Sequence, residues 1–320
     1  MKTTLNLLIL LFSISFVAQE KPSDIITHLE DWSILLGDGT KSKSLIGFEK
    51  DGFFYTQKNW VVFKTPNSGI TSKTSNNTRS ELGELKRWTP EQGAKLSATL
   101  KVMHVSESGD PKVAASYSVV VGQIHSDQGH ENEPLKIFYK KFPGQSKGSL
   151  FWNYEINTEG DNSKRWDYSQ AIWGYDMSVV ADENNAFPQE PDNGIELGET
   201  FSYSVEVKNG IMTLTFTSEG HETVTFTKNL VKSDFQKKSE IPLQIINLYS
   251  SIGRDGIEKP QAYSGELQFF KAGAYNQSNG KDPSKNNVWN TGSTSFDGNI
   301  EKQYENGDYA EVWFNSIKLN

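Results

Sequence analysis

Three short segments carry the side chains of proton transfer next to cations and amides. The first reads Arg79-Ser80-Glu81-Leu82-Gly83-Glu84-Leu85, the second Val119-Val120-Val121-Gly122-Gln123-Ile124-His125 and the third Phe269-Phe270-Lys271-Ala272-Gly273-Ala274-Tyr275-Asn276-Gln277. Successive side chains of a strand alternate between its two faces. Arg79, Glu81 and Gly83 therefore share a face, as do Gln123 and His125, and as do Lys271, Gly273, Tyr275 and Gln277. Leu82, Ile124 and the row Phe270, Ala272, Ala274 point the other way. Arg keeps its charge and grips a carboxylate through two parallel hydrogen bonds. Gln donates amide hydrogens to a developing oxyanion, His accepts a proton near neutral pH, and a tyrosine hydroxyl donates one. Singly, each signal is weak: Arg-x-Glu on a strand is ordinarily a surface ion pair, and Gln-x-His a polar face. Side by side, the strands would form a polar floor on a sheet packed on one face and open on the other. That adjacency is an expectation, because a single sequence does not give strand order.

The elements that must position these residues are strands. Leu96, Ala98, Leu100 and Val102 alternate with polar residues, as do Phe201, Tyr203, Val205 and Val207. Asn209-Gly210 before Ile211 to Phe216 is a hairpin signal of the type I′ kind. Further strands are expected at Phe53 to Phe63, Ala115 to His125, Leu135 to Phe142, Leu150 to Ile156, Glu222 to Thr227, Leu243 to Tyr249, Gly265 to Tyr275 and Tyr309 to Leu319. No long segment has helical period; short helical turns are expected at Lys21 to Leu29 and Leu230 to Phe235. About ten strands separated by turn signals predict an all-β, two-sheet antiparallel β-sandwich of the jelly-roll, concanavalin-like type, with a concave cleft. The stretches 126–134, 157–198, 250–264 and 278–307 read as long connections, the kind that build cleft walls.

The chain has 320 residues, no cysteine and a formal net charge of −8. Without cysteine there is no disulfide, no thiolate metal site and no cysteine nucleophile. The acidic balance argues against a nucleic-acid binder, while an anionic substrate remains compatible, since binding follows the local field of a cleft. Lys2, the apolar run Leu5 to Val17 and Ala18 read as a secretory signal over residues 1–19. Residues 20–320 are then expected to form one domain, exported to the periplasm or beyond, with no membrane insertion expected because no other apolar run approaches ~20 residues. His28, His104, His130 and His221 are scattered, so no metal site and no cofactor is expected, and a monomer is anticipated.

In combination the three segments are far more specific. Arg-Ser-Glu-Leu, then Gln-Ile-His, then Phe-Lys-Ala-Gly-x-Tyr-x-Gln resembles, in order and placement, the signature segments of the alginate lyases of polysaccharide lyase family 7. Tyr309-Ala310-Glu311-Val312-Trp313-Phe314 resembles the closing strand of that family. The first segment departs from the pattern: Gly83 stands where the family usually has a second arginine, which bears on subsite specificity, and Lys86, Arg87, Arg165 and Arg254 are candidates to replace its charge. The resemblance implies β-elimination on an acidic polysaccharide. Arg79 and Gln123 would neutralise the uronate carboxylate. His125 would remove the C5 proton or support the carboxylate. Tyr275 would protonate the leaving 4-linked oxygen and, for one sugar epimer, also act as base. Glu81 would orient Arg79, while Lys271 and Gln277 would contact neighbouring sugars or hold Tyr275. The long loops and the missing arginine tilt the expectation toward cleavage from chain ends. Three other readings compete: a non-catalytic carbohydrate-binding sandwich, a lyase acting on another polyuronate such as glucuronan, and a jelly-roll glycoside hydrolase. The last needs two carboxylates flanking the scissile bond, and Glu81 and Glu84 fall on opposite faces of their strand.

Overall fold

The computed structural model describes residues 20–70, 77–127, 133–158, 161–182, 184, 186–231, 263–277 and 298–320. The leader at 1–19, the strand expected at Leu243 to Tyr249, most of the turn at Leu230 to Phe235, His130 and Arg254 lie outside them, as does the side chain of Arg165. In chain order the strands are β1 (Trp32–Leu35), β2 (Lys41–Ser42), β3 (Phe54–Gln57), β4 (Trp60–Pro66), β5 (Arg79–Glu84), β6 (Ala94–His104), β7 (Ser118–Ser126) and β8 (Leu135–Lys140). They continue as β9 (Lys147–Thr158), β10 (Asp161–Trp173), β11 (Ile195–Glu196), β12 (Thr200–Lys208), β13 (Ile211–Ser218), β14 (Val224–Asn229), β15 (Gln268–Asn276) and β16 (Tyr309–Leu319). Helices are confined to α1 (Pro22–Ile25), a 3₁₀ turn at Leu29–Asp31 and α2 (Ile300–Glu305), and none among the described residues is long and apolar enough to cross a membrane.

Two antiparallel sheets stack into the expected sandwich. One runs β10-β9-β8-β7-β15-β5-β1-β2, with β11 on β9; the other runs β14-β13-β12-β6-β16-β4-β3. The alternation read from sequence now has a physical cause. Leu96, Leu100 and Val102 of β6, Phe201, Tyr203 and Val205 of β12, and Leu214 and Phe216 of β13 turn inward and are buried, against Leu82, Ile124, Phe270, Ala272 and Ala274 of the first sheet. Each Val, Leu, Ile or Phe among them contributes about 1.5–3 kcal/mol on leaving water, and this core holds the fold without cross-links. The β12–β13 hairpin turns at Asn209 and Gly210, both at positive φ (51° and 77°) as the type I′ signal requires.

Some elements differ from expectation. Phe53 to Phe63 is two strands, β3 and β4, turned at Lys58, which takes φ 55°. The stretch 157–198 holds the long edge strand β10, and 278–307 holds α2.

Candidate active site

The three motif strands are neighbours, with β15 between β7 and β5. Tyr275 lies opposite Arg79, Gly273 opposite Glu81 and Lys271 opposite Gly83; on the other side Lys271 lies opposite Gln123 and Phe269 opposite His125. Two glycines make this register possible. A Cβ at Gly122 would stand 2.5 Å from the hydroxyl of Tyr203, which crosses the core to donate to the Val121 carbonyl at 3.2 Å. The register of β7 slips there against β8, so Val120 and Gln123, three positions apart, face the same side. Gly273 takes φ 149°, and a Cβ would meet the Ser80 carbonyl at 2.5 Å. It sits where β15 slips against β7.

The outward face of this sheet is polar, yet it is buried. Arg79, Glu81, Gln123, Lys136, Lys140, Asn153 and Glu155 are each at most 8% exposed. Segments flanking the sheet therefore shield this face from solvent. Two of these are tied by Lys140, whose ammonium donates to the carbonyls of Ala114 (2.7 Å) and Val179 (3.0 Å), joining loops that also meet at Ala181 N–H and the Pro111 carbonyl.

Glu81 is the hub of the floor. Its carboxylate accepts from Gln123 Nε2 at 2.6 Å, pairs with Arg79 Nη1 at 3.3 Å and lies 3.9 Å from Lys271 Nζ. Glu81 therefore contacts both Arg79 and Gln123, two of the residues expected at the carboxylate. The Arg79 guanidinium lies flat over the Tyr275 ring, 3.7 Å from its centroid. Burial works against the Arg79 charge, but Tyr275, Glu81 and Glu133 outweigh it and hold the guanidinium protonated. Burial also pulls Lys271 down to about 8, with Glu81 opposing and Arg79 assisting. Gln123 Oε1 is buried and has no hydrogen-bond partner among the described residues. Gln277 accepts from Asn77 Nδ2 at 3.3 Å and reaches the Tyr275 carbonyl at 3.5 Å. It thus links Asn77 to the end of the strand that carries Tyr275.

His125 is held from three sides. Nδ1 contacts the Ser126 carbonyl at 2.6 Å; a carbonyl only accepts, so Nδ1 carries the proton and Nε2 keeps its lone pair. The ring packs on Phe269 with centroids 5.3 Å apart, and Nε2 lies 3.5 Å from Glu133 Oε1. Burial first, then Lys271, Arg79 and Lys136, hold the imidazole well below its usual pKa, against the Ser126 contact. It is therefore a neutral imidazole with its lone pair on Nε2.

Several floor residues escape sequence reasoning. Gln123 lies opposite Lys136, Lys136 opposite Asn153, and Asn153 opposite Ser169, so one polar row crosses β7, β8, β9 and β10. Lys136 bridges Glu133 (3.3 Å) and Glu155 (2.7 Å). Beside Tyr275 lies an apolar patch of Ala115, Val120, Phe138, Phe151 and Met177, with Phe138 and Phe151 stacked 4.9 Å apart. The alternation of Lys136, Phe138 and Lys140 with Leu135, Ile137 and Tyr139 is the signal that could have found this row. At the departure from the family pattern, a Cβ on Gly83 would touch only Ser33 Oγ (3.5 Å) and the Phe269 ring (3.7 Å). The other face of that region is capped by Arg87, stacked 3.9 Å over Phe269 and paired with Asp127 at 3.0 Å. Of the candidate replacement cations whose side chains are described, Lys86 and Arg87, it is Arg87 that contacts the Phe269 ring beside Gly83. Among the described residues, no group of three His, Asp or Glu side chains has the arrangement to hold a metal.

An "Alginate lyase" family model matches residues 27–320. A curated alginate lyase of Klebsiella pneumoniae is 28% identical over 311 residues, covering 83% of this chain and 88% of that one. The crystal structure of the exolytic family 7 alginate lyase AlyA5 of Zobellia galactanivorans superposes with a TM-score of 0.84 at 66% identity, over 93% of this chain and 97% of that one. The 1.0 Å structure of alginate lyase A1-II′, 18% identical with a TM-score of 0.58 over 94% and 98%, shares the fold. With the motif strands adjacent and the match running nearly end to end, the chain belongs to the alginate lyases of polysaccharide lyase family 7.

Proposed function

We propose that this enzyme depolymerises alginate by β-elimination from chain ends, with Arg79 and Gln123 at the carboxylate, His125 as base and Tyr275 as acid. The observation that carries the reading is the grouping of Arg79, Gln123 and Tyr275 on one floor, where Arg79 lies on Tyr275 and Gln123 is tied to Arg79 through Glu81, with His125 two residues beyond Gln123 on the same strand. The uronate carboxylate opposes carbanion formation at C5, so its charge must be neutralised first. Arg79, fixed as a cation, supplies that, and the second Gln123 amide hydrogen, not used by Glu81, is available to the developing enolate. His125 Nε2 takes the C5 proton. The C5–H electron pair becomes the C4–C5 double bond, the C4–O bond breaks, and the departing oxygen takes the Tyr275 proton. Lys271, within reach of the same floor, contacts the sugar carboxylates.

Chain-end cleavage is supported by the 66% identical relative, an exolytic lyase, and by the two loops tied together beside the floor through Lys140. We also read residues 1–19 as an export signal, the mature enzyme as a monomer, and its place as the periplasm or medium. A time course of alginate digestion, read by ultraviolet absorbance of the unsaturated product and by product sizing, tests the reaction and its mode together. Early release of the smallest products supports chain-end action, and an early ladder of mixed oligomers refutes it. Binding without any rise in absorbance would return the chain to the non-catalytic reading.

A further inference from the structure

Proton removal leaves His125 positively charged in a site already crowded with cations. Lys271 comes from β15, Arg79 from β5 and Lys136 from β8, and all three act on the imidazole. Phe269, its neighbour across the strand pair, is uncharged. Glu81 is engaged with Arg79, Gln123 and Lys271. The carboxylate set against the reacting nitrogen is Glu133, 3.5 Å from Nε2 and 12% exposed in its side chain. Its other oxygen lies 3.3 Å from Lys136, which Glu155 holds in turn at 2.7 Å. Glu133 is thus a fixed anion rather than a swinging one, and no substrate contact is needed for it to act.

We propose that Glu133, braced by Lys136 and Glu155, is a positioning residue for the elimination: acting through His125, it stabilises and orients the imidazolium formed when Nε2 takes the C5 proton. This rests on the assignment of His125 as the base. Before reaction, the Nδ1–H bond to Ser126 fixes the ring plane, and the Glu133 carboxylate stands 3.5 Å from the unprotonated Nε2. As the C5–H pair moves into the C4–C5 double bond, the proton arrives on Nε2 between the sugar and Glu133. The carboxylate then meets a full positive charge, an interaction stronger after proton transfer than before it. The proton is afterwards lost to solvent, and the Tyr275 oxygen regains one, so acid and base are both restored.

The pH profile of kcat/KM separates this role from simple structural support. Removing an anion makes the imidazolium harder to form, so Glu133→Gln should move the acidic limb to lower pH by about one unit, the low end for an opposite charge at this range. It should also lower kcat about tenfold or more while KM changes little. Lys136→Met removes a cation and should move the same limb to higher pH. Glu133→Asp, which keeps the charge, should restore much of the limb position. Opposite shifts in Glu133→Gln and Lys136→Met, in proteins whose circular dichroism matches the parent, support the inference. An acidic limb that His125→Ala abolishes but Glu133→Gln leaves unmoved overturns it while the base assignment stands. A limb that persists in His125→Ala overturns the base assignment and this inference with it.

Discussion

Glu81→Gln is the perturbation that bears most directly on how the floor is built. The side chain keeps its shape and loses its charge. It accepts from Gln123 at 2.6 Å, pairs with Arg79 at 3.3 Å and faces Lys271 at 3.9 Å, and it is only 4% exposed. Removing one member of a buried ion pair costs about 3–5 kcal/mol, because the partner is left charged and unpaired. Lys271 can escape that cost. Burial already holds it at about 8, and without Glu81 it falls further and sheds its proton at neutral pH. Arg79 has no such exit, so the lower figure, about 3 kcal/mol, is expected. With an unfolding entropy of about 2.1 cal/mol/K per residue, a domain of this length loses about 5 °C in Tm. The same change releases Arg79 and Gln123 from their shared anchor, and kcat/KM should fall by about 10²-fold, the low end of what misplaced catalytic groups produce. Differential scanning calorimetry and the absorbance assay at pH 7.5 read the two effects on one preparation. A variant melting within about 1 °C of the parent with unchanged kcat/KM would refute the hub.

Tyr275→Phe and His125→Ala should each reduce turnover by roughly 10²–10⁴, measured as initial absorbance rates on folded protein; near-parental activity in Tyr275→Phe removes the hydroxyl from the reaction. Gly273→Ala places a Cβ 2.5 Å from the Ser80 carbonyl at a φ of 149°, and should cost about 1–3 kcal/mol, read as a lowered midpoint in urea. Lys140 is held by burial at about 7, against about 10.4 for an unperturbed lysine. Between those values the unfolded chain binds the extra proton, so this group makes stability rise with pH through the window; in Lys140→Met the rise above pH 7, followed by denaturant midpoints, should flatten.

The chemistry was more legible than the frame around it. Gln123 and His125 at a spacing of two, and Lys271 and Tyr275 at four, sit on the faces that strand periodicity assigns them, because β7 pairs regularly with β15 from Ser126 to Gly122 and β15 pairs regularly with β5 from Lys271 to Tyr275. Strand adjacency was out of reach, since it is set by pairings between distant parts of the chain. β10 was read as loop: Asp161, Asn162, Ser163, Lys164 and Arg165 give no apolar beat, and an edge strand outside the central core has little need of one. Glu133, Lys136 and Glu155 were passed over because charged residue types are ordinarily exposed. What buries them is mutual pairing, which composition does not record. The same limit applies to Val120, turned beside Tyr275 by the slip at Val121 and Gly122.

The strand that carries Tyr275 and Lys271 is one of the last to be synthesised, yet it occupies the middle of its sheet, wedged between β5 and β7. Until it arrives, both neighbours present naked backbone edges, which are templates for aggregation. A chain interrupted before residue 263 would therefore be inert as well as adhesive: Arg79 and His125 would exist without the hydroxyl between them. Activity in this architecture is gained in one late closing step, and its appearance reports on completion of the whole sandwich.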